Sequence, residues 1–146
     1  MGTTTLNEAQ WKDPRWRLNN LYMVVTKKGK AVPFRPNWAQ QQFLDGAHNR
    51  NLILKARQLG FTTLCCLIYL DDCLFTPNMT AGIIDLKEGD AQAKLQIART
   101  AWESGPVHPN PRIAELWKGL HAGCPLVSDN GGTMEWANGS AWTKYT

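Results

Sequence analysis

One stretch of the chain reads Asn51-Leu-Ile-Leu-Lys-Ala-Arg-Gln-Leu-Gly-Phe-Thr-Thr63. Its first four residues are mostly apolar and predict a short strand, and residues 55–60 predict a tight loop. The apolar-rich run from Thr62 to Phe75 predicts a helix that is buried against a sheet. A strand, a loop ending in glycine, a hydroxyl residue and a helix follow one another in the order that a phosphate-binding loop requires.

The chemistry of such a loop comes from the start of its helix. The first backbone N–H groups of a helix have no partner within it and lie at the positive end of its dipole, so a phosphate placed there accepts hydrogen bonds from them. Gly60 lets the backbone pass close to the phosphates, and Thr62 carries a hydroxyl where Mg²⁺ would be held.

The stretch departs from the pattern G-x-x-x-x-G-K-[ST] at two positions. Lys55 stands where the first glycine is expected, and Phe61 stands where the lysine is expected. Because phenylalanine cannot neutralise a phosphate, a working site needs its cation from Lys55 or from Arg57. The alternative interpretation is a basic turn between a core strand and a core helix.

Residues 55–63, Lys-Ala-Arg-Gln-Leu-Gly-Phe-Thr-Thr, resemble the deviant Walker A loop of the large terminase subunits of tailed bacteriophages. In that family an aromatic residue can replace the usual lysine, and a lysine at the start of the loop takes over its role. Four further segments resemble the family in order along the chain, over about residues 14 to 142. They are Pro14-Arg-Trp-Arg-Leu-Asn-Asn-Leu-Tyr22, Pro36-Asn-Trp-Ala-Gln40, Thr76-Pro-Asn-Met-Thr-Ala-Gly-Ile-Ile84 and Met134-Glu-Trp-Ala-Asn-Gly-Ser140.

The resemblance implies ATP and Mg²⁺ as cofactors and gives the residues of the loop their roles. Lys55 or Arg57 would be the catalytic cation on the β- and γ-phosphates, Thr62 would hold Mg²⁺, and Gln40 would read adenine. A glutamine amide suits that last role because it both donates and accepts hydrogen bonds. The implied nucleotide-binding set is Gln40, Lys55, Ala56, Arg57, Gln58, Leu59, Gly60, Phe61, Thr62 and Thr63.

The resemblance also implies a function and partners. Terminase large subunits are ATP-driven motors that package double-stranded DNA into the capsid, so DNA, a portal protein, a small terminase subunit and self-association in a ring are expected partners. The expected location is the cytoplasm of a bacterial host, and no membrane is expected.

The likeness corresponds to the N-terminal part of that family's ATPase domain, which is followed in the family by the Walker B acids and a nuclease domain. Residues 67–72, Leu-Ile-Tyr-Leu-Asp-Asp, imitate a Walker B motif. We reject that interpretation because the positions between Gly60 and Asp71 are used by the predicted helix, whereas a Walker B acid ends a separate strand. We therefore expect a truncated chain that binds ATP, and we do not expect it to hydrolyse ATP alone.

Composition agrees with a soluble, phosphate-binding protein. The 146 residues are 43% hydrophobic and 19% charged, which is typical of an ordinary globular domain. Residues 1–63 carry ten Lys/Arg and three Asp/Glu, whereas residues 64–146 carry six and nine. A basic first half suits the phosphates of a nucleotide or of DNA. The four cysteines have no metal-ligand or disulfide spacing, so we expect reduced core residues.

The expected fold class is α/β: an incomplete three-layer domain of the P-loop NTPase type. Its parallel central sheet would be joined by an N-terminal β-hairpin and a C-terminal antiparallel extension. Strands 51–55 and 80–84 would form a right-handed βαβ unit. We expect a lead-in with the basic hairpin over 1–36 and the partial ATPase domain over 37–146. Other predicted strands are 21–26, 31–34, 125–127, 133–136 and 141–145, and other predicted helices are 38–46, 91–102 and 113–120.

Two alternative functions remain open at this point. One is a non-hydrolysing module that binds a nucleotide or DNA, such as a degraded prophage remnant. The other is a fragment of a helicase-like translocase, which should show Gly-Lys-[ST] where this chain has Gly60, Phe61 and Thr62.

Overall fold

The computed structural model describes residues 8–54 and 59–146. Its helices are α1 (Glu8–Lys12), α2 (Pro14–Asn20), α3 (Trp38–Gly46), α4 (Phe61–Phe75), α5 (Glu88–Ser104) and α6 (Pro111–Gly123), with a short 3-10 helix at Gly105–Val107. Its strands are β1 (Met23–Val25), β2 (Ala31–Pro33), β3 (Thr80–Ile84), β4 (Leu126–Asp129), β5 (Thr133–Trp136) and β6 (Ala141–Tyr145).

The strands form two separate sheets. Strands β1 and β2 pair antiparallel as a hairpin, and the other four form a mixed sheet in the order β3-β6-β5-β4. Strand β3 is parallel to β6, whereas β6, β5 and β4 pair antiparallel. The N-terminal hairpin and the C-terminal antiparallel extension are therefore confirmed, and the protein is mixed α/β.

The predicted strand at 51–54 is wrong. These residues adopt no regular secondary structure, and Leu52 and Leu54 are 87% and 89% exposed. A strand forms only where its backbone groups have a ladder partner, and residues 51–54 pair with no strand of the described residues. The expected βαβ unit is not formed either, because the parallel neighbour of β3 is β6. The three-layer P-loop arrangement and the division at residue 36 stay predictions.

Local capping chemistry sets the start of α2, which was not predicted, and of α3, whose predicted start at residue 38 is confirmed. Asp13 caps α2 through the Arg15 N–H and Pro14 is its first residue, which explains why the chain turns between α1 and α2. Asn37 caps α3 in a full capping box, in which Asn37 and Gln40 each accept the other's backbone N–H.

Helix α4 lies at the centre of the core. Its buried residues include Leu64, Leu67 and Leu70, each fully buried. They belong to one hydrophobic cluster that also takes in the buried face of the mixed sheet, where Ala81, Trp142 and Met134 lie side by side in register. Burial of so many apolar side chains is the main stabilising term for this fold.

The N-terminal segment is attached to this core by polar contacts. The Trp117 indole N–H of α6 donates to the Leu21 carbonyl oxygen at 2.8 Å, and both residues are fully buried. The Arg17 guanidinium of α2 forms two hydrogen bonds with the Asp71 carboxylate of α4. Within the described ranges, none of the helices has the length and apolar character needed to cross a membrane.

Candidate nucleotide site at the start of helix α4

The chain enters α4 through a glycine in the left-handed conformation. Gly60 has φ 76° and ψ 15° and caps the helix without a side-chain hydrogen bond. A Cβ atom at this position would lie 2.8 Å from the Gln40 Nε2 atom. Both the positive φ and this close approach require glycine, whereas the contact of Gly60 with a phosphate stays a prediction.

The first turn of α4 presents open hydrogen-bond donors. The first backbone bond of the helix runs from the Leu64 N–H to the Gly60 carbonyl oxygen at 3.1 Å. The N–H groups of Phe61, Thr62 and Thr63 have no acceptor among residues 8–54 and 59–146. Since the Thr62 side chain is exposed beside them, this end of the helix offers donors, a hydroxyl and a positive dipole end in one place.

Phe61 belongs to the core rather than to the site. Its side chain is 8% exposed and packs edge-on against Phe43 of α3, with ring centroids 5.9 Å apart. The position that carries the cation in an ordinary phosphate loop is thus used here to join α4 to α3.

Four of the predicted site residues lie outside the described residues: Lys55, Ala56, Arg57 and Gln58. Their assigned roles, including that of the catalytic cation, stay predictions. Leu59, which follows them, is partly buried against the core.

The N-terminus of α3 holds the end of the loop through two side chains. Gln40 donates from Nε2 to the Gly60 carbonyl oxygen at 2.8 Å, and Asn37 donates from Nδ2 to the Leu59 carbonyl oxygen at 3.1 Å. Gln40 is 3% exposed, and its Oε1 atom accepts the Asn37 N–H. In this arrangement Gln40 positions the loop, and its contact with adenine stays a prediction.

A cavity of about 480 Å³ opens beside Thr62, between α4, α5 and β3. Thr62, Tyr69 and Lys94 give it its polar groups, and the rest of its lining is mostly apolar. The Lys94 ammonium of α5 is ion-paired with Asp85, which directly follows β3. Sequence reasoning missed Lys94, because only the packing of α5 against α4 brings it near the loop.

A second cavity, of about 340 Å³, lies on the α3 side of the loop. Trp38, Phe43 and Leu59 line it together with the exposed Leu52 and Leu54. The Trp38 ring is 76% exposed and lies two residues before Gln40. An exposed aromatic face in an apolar cavity is a surface on which a base can stack.

Asp71, in the middle of α4, has a structural role, and both acids of the imitated Walker B motif lie within this helix, as expected. Asp71 is 2% exposed and accepts hydrogen bonds from Arg17 and from the Tyr22 hydroxyl. Burial is the largest single effect and lowers the pKa of Arg17, but the hydrogen bond to Asp71 and the attraction of nearby negative charge together outweigh it, so the Arg17 pKa is raised. Burial and the neighbouring Asp71 raise the pKa of Tyr22 well above its usual value.

The described residues fit a phosphate better than they fit a complete metal site. Open N–H groups and the exposed Thr62 hydroxyl suit a phosphate with one oxygen ligand for its Mg²⁺. Within residues 8–54 and 59–146, no group of three or more His, Cys, Asp or Glu side chains could hold a metal ion by itself.

Comparison with known proteins gives no family for this chain. No protein-family model matches the sequence, and none of the curated proteins matches it.

Proposed function

We propose that this chain binds ATP–Mg²⁺ through residues 55–63, as the nucleotide-binding part of a DNA-packaging ATPase of the terminase large-subunit type. The observation that carries the proposal is the open first turn of α4. There Gln40 holds the carbonyl oxygen of Gly60, three backbone N–H groups have no acceptor among the described residues, and Phe61 and Thr62 border a cavity.

In this proposal the β- and γ-phosphates accept hydrogen bonds from the N–H groups of Phe61, Thr62 and Thr63. Since Phe61 is buried in the core, the positive charge comes from Lys55 or Arg57 in the preceding loop. Bound Mg²⁺ would neutralise phosphate charge, and the Thr62 hydroxyl is the described group that would hold it.

The base would lie toward α3. The exposed ring of Trp38 offers a stacking surface, and the N-terminus of α3 is already connected to the loop through Gln40 and Asn37. This arrangement places base and phosphate contacts on two elements that share hydrogen bonds, so binding at one affects the geometry of the other.

Double-stranded DNA is the partner that the resemblance adds to this proposal, together with a portal protein, a small terminase subunit and a ring of copies. The tip of the β1–β2 hairpin supports a contact with phosphates, because Lys27, Lys28 and Lys30 are all exposed there.

The test is a titration with a fluorescent ATP analogue and Mg²⁺, comparing the wild type with Lys55→Ala. Removal of a lysine that contacts phosphate should weaken binding about tenfold or more, which corresponds to about 1.4 kcal/mol. Lys118→Ala is the matched control, because Lys118 lies on α6 and pairs with Glu115 at the surface. A folded wild type that binds no nucleotide contradicts the proposal, and equal binding by Lys55→Ala contradicts the role of Lys55.

A non-hydrolysing nucleotide-binding module is the second candidate function. It is favoured by the lining of the two cavities, whose described residues include the cation Lys94 and no carboxylate. Hydrolysis requires a group that orients the attacking water. Steady-state turnover with and without double-stranded DNA separates the candidates: nucleotide binding without turnover supports the module, and DNA-stimulated turnover supports the motor.

A further inference from the structure

The two outer strands of the mixed sheet have very different edges. Strand β4 has an irregular register, with a shift between Leu126 and Ser128, and it ends at Asp129, which is paired with Arg99. Bulges and charges are the devices that keep an edge strand from pairing with another chain. Strand β4 is therefore protected against such pairing.

Strand β3 has neither a bulge nor a charged residue. Its sequence, Thr80-Ala-Gly-Ile-Ile84, carries no charge, and all five residues pair with β6 in an unbroken register. Asp85, the first charged residue after it, is neutralised by Lys94. A flat, uncharged edge of this kind is a template for another strand.

The backbone of β3 shows which groups are free. Met79 and Asp85 make hydrogen bonds with β6, through the Ala141 N–H and the Tyr145 carbonyl oxygen respectively. Because the bonding direction alternates along a strand, the N–H and C=O groups of Thr80, Gly82 and Ile84 face the other edge. Within the described residues no strand pairs with that edge.

Exposed apolar side chains lie at this edge, beside a cavity whose polar groups include Lys94. Ile84 is 77% exposed, Leu86 is 99% exposed, and the cavity of about 480 Å³ that Gly82 and Ile83 line runs beside the strand. An added β-strand both covers such residues and pairs with a row of backbone groups.

We propose that β3 pairs antiparallel with β3 of a second copy of this chain, about a two-fold axis at Gly82, so that the two mixed sheets become one. The edge is self-complementary, since Gly82 then lies opposite Gly82 of the copy and Thr80 lies opposite Ile84 of the copy. These three pairs supply about six hydrogen bonds, because each hydrogen-bonded pair exchanges two. The absence of charge in β3 removes the repulsion that a contact between identical edges would otherwise meet.

The experiment is sedimentation velocity on the whole chain over a range of concentrations, with Ile84→Lys as the test variant. The wild type is expected to reach the mass of a dimer, and Ile84→Lys is expected to remain a monomer at the same concentrations. Ile84 is exposed, so the substitution puts a charge on the edge without disturbing the core.

Val127→Lys is the matched control, because Val127 is 61% exposed on the opposite edge strand, and this variant should dimerise like the wild type. Amide hydrogen exchange tests which residues pair between the two copies. In the wild type the N–H groups of Thr80, Gly82 and Ile84 should become more protected from exchange as the protein concentration rises. A wild type that is monomeric at every concentration, or an Ile84→Lys variant that dimerises as well as the wild type, overturns the proposal. The cavity beside β3 also borders Thr62, so a second copy and a nucleotide would compete for it. Sedimentation is measured without nucleotide, so a failure of this proposal is distinguishable from a failure of the proposed function.

Discussion

Helix α4 contacts the N-terminal part of the chain at two places that differ in how their polar groups are satisfied. In its middle, the Asp71 carboxylate is buried and bonded to Arg17 and Tyr22. At its first turn, the Gly60 carbonyl oxygen is held by Gln40, but the N–H groups of residues 61–63 have no acceptor among the described residues. The first contact is closed by the protein itself, and the second leaves donors for a ligand.

A ligand is therefore expected at the first turn of α4 and not at the acidic residues in its middle. Paired acids such as Asp71 and Asp72 attract attention in a sequence, but a carboxylate that is bonded on all sides holds the fold together. Open donors next to a cavity cost stability unless water or a ligand satisfies them. Four substitutions distinguish the closed contact from the open one.

The largest effect is expected from Asp71→Asn. The substitution leaves the buried guanidinium of Arg17 without its counter-charge, and breaking a buried pair in this way costs about 3–5 kcal/mol. Urea unfolding followed by circular dichroism measures the loss. Asp72→Asn is the control, since Asp72 is only half-buried and should cost much less. A loss of unfolding free energy below about 1 kcal/mol for Asp71→Asn would mean that Arg17 and Asp71 behave like a solvent-exposed ion pair.

The second prediction concerns Gly60→Ala, which should reduce both stability and nucleotide affinity. A non-glycine residue at φ 76° costs about 1–2 kcal/mol, and the added methyl group also displaces the Gln40 amide. Gly29→Ala is the matched control, because Gly29 has φ 78° and open space around its Cβ position. If the two variants lose equal stability and nucleotide binding is unchanged, the contact between the added methyl group and Gln40 contributes nothing to the effect of Gly60→Ala.

These two sites also show what sequence can predict. The turn at Gly60 and the helix that begins at residue 38 were predicted from sequence because turns and helix starts depend on residues a few positions apart. The structural role of Asp71 depends on Arg17, which lies 54 positions earlier in the chain. The predicted helix was enough to reject Asp71 as a Walker B acid. Its partner Arg17 could be identified only from the three-dimensional structure.

The incorrect strand at 51–54 has the same origin. Its composition favours a strand, but a strand is completed only by a neighbour, and pairing is not local. The parallel pairing of β3 with β6 and the position of Lys94 beside Thr62 were likewise not predictable. They arise from how α4, α5 and the sheet pack together.

The third prediction separates two possible roles of Gln40. If it positions the loop, Gln40→Ala should lower stability by about 1 kcal/mol and weaken binding of ATP and GTP alike, because the bonds to Asn37 and Gly60 are lost. If it also reads adenine, the variant should lose a preference for ATP over GTP that the wild type shows. Parallel titrations with both nucleotides measure this. Gln92→Ala is the control, since Gln92 lies on α5 and lines neither of the two cavities.

The smallest effect is expected from a charged pair that is more accessible to water than Arg17–Asp71. Arg99 donates two hydrogen bonds to Asp129 at 2.7 Å, and these bonds lower the Asp129 pKa below its ordinary value of 3.8. A carboxyl whose pKa is lower in the folded state stabilises the fold above its unfolded-state pKa, and this contribution is lost as the pH falls through the folded-state value. The wild type should therefore lose more stability than Asp129→Asn when the pH is lowered from neutral to below 3.8, by at most about 1 kcal/mol. Unfolding curves at matched pH values measure this difference. Identical pH profiles would mean that the pair adds nothing, and a much larger difference would place it with the closed, buried contact at Asp71.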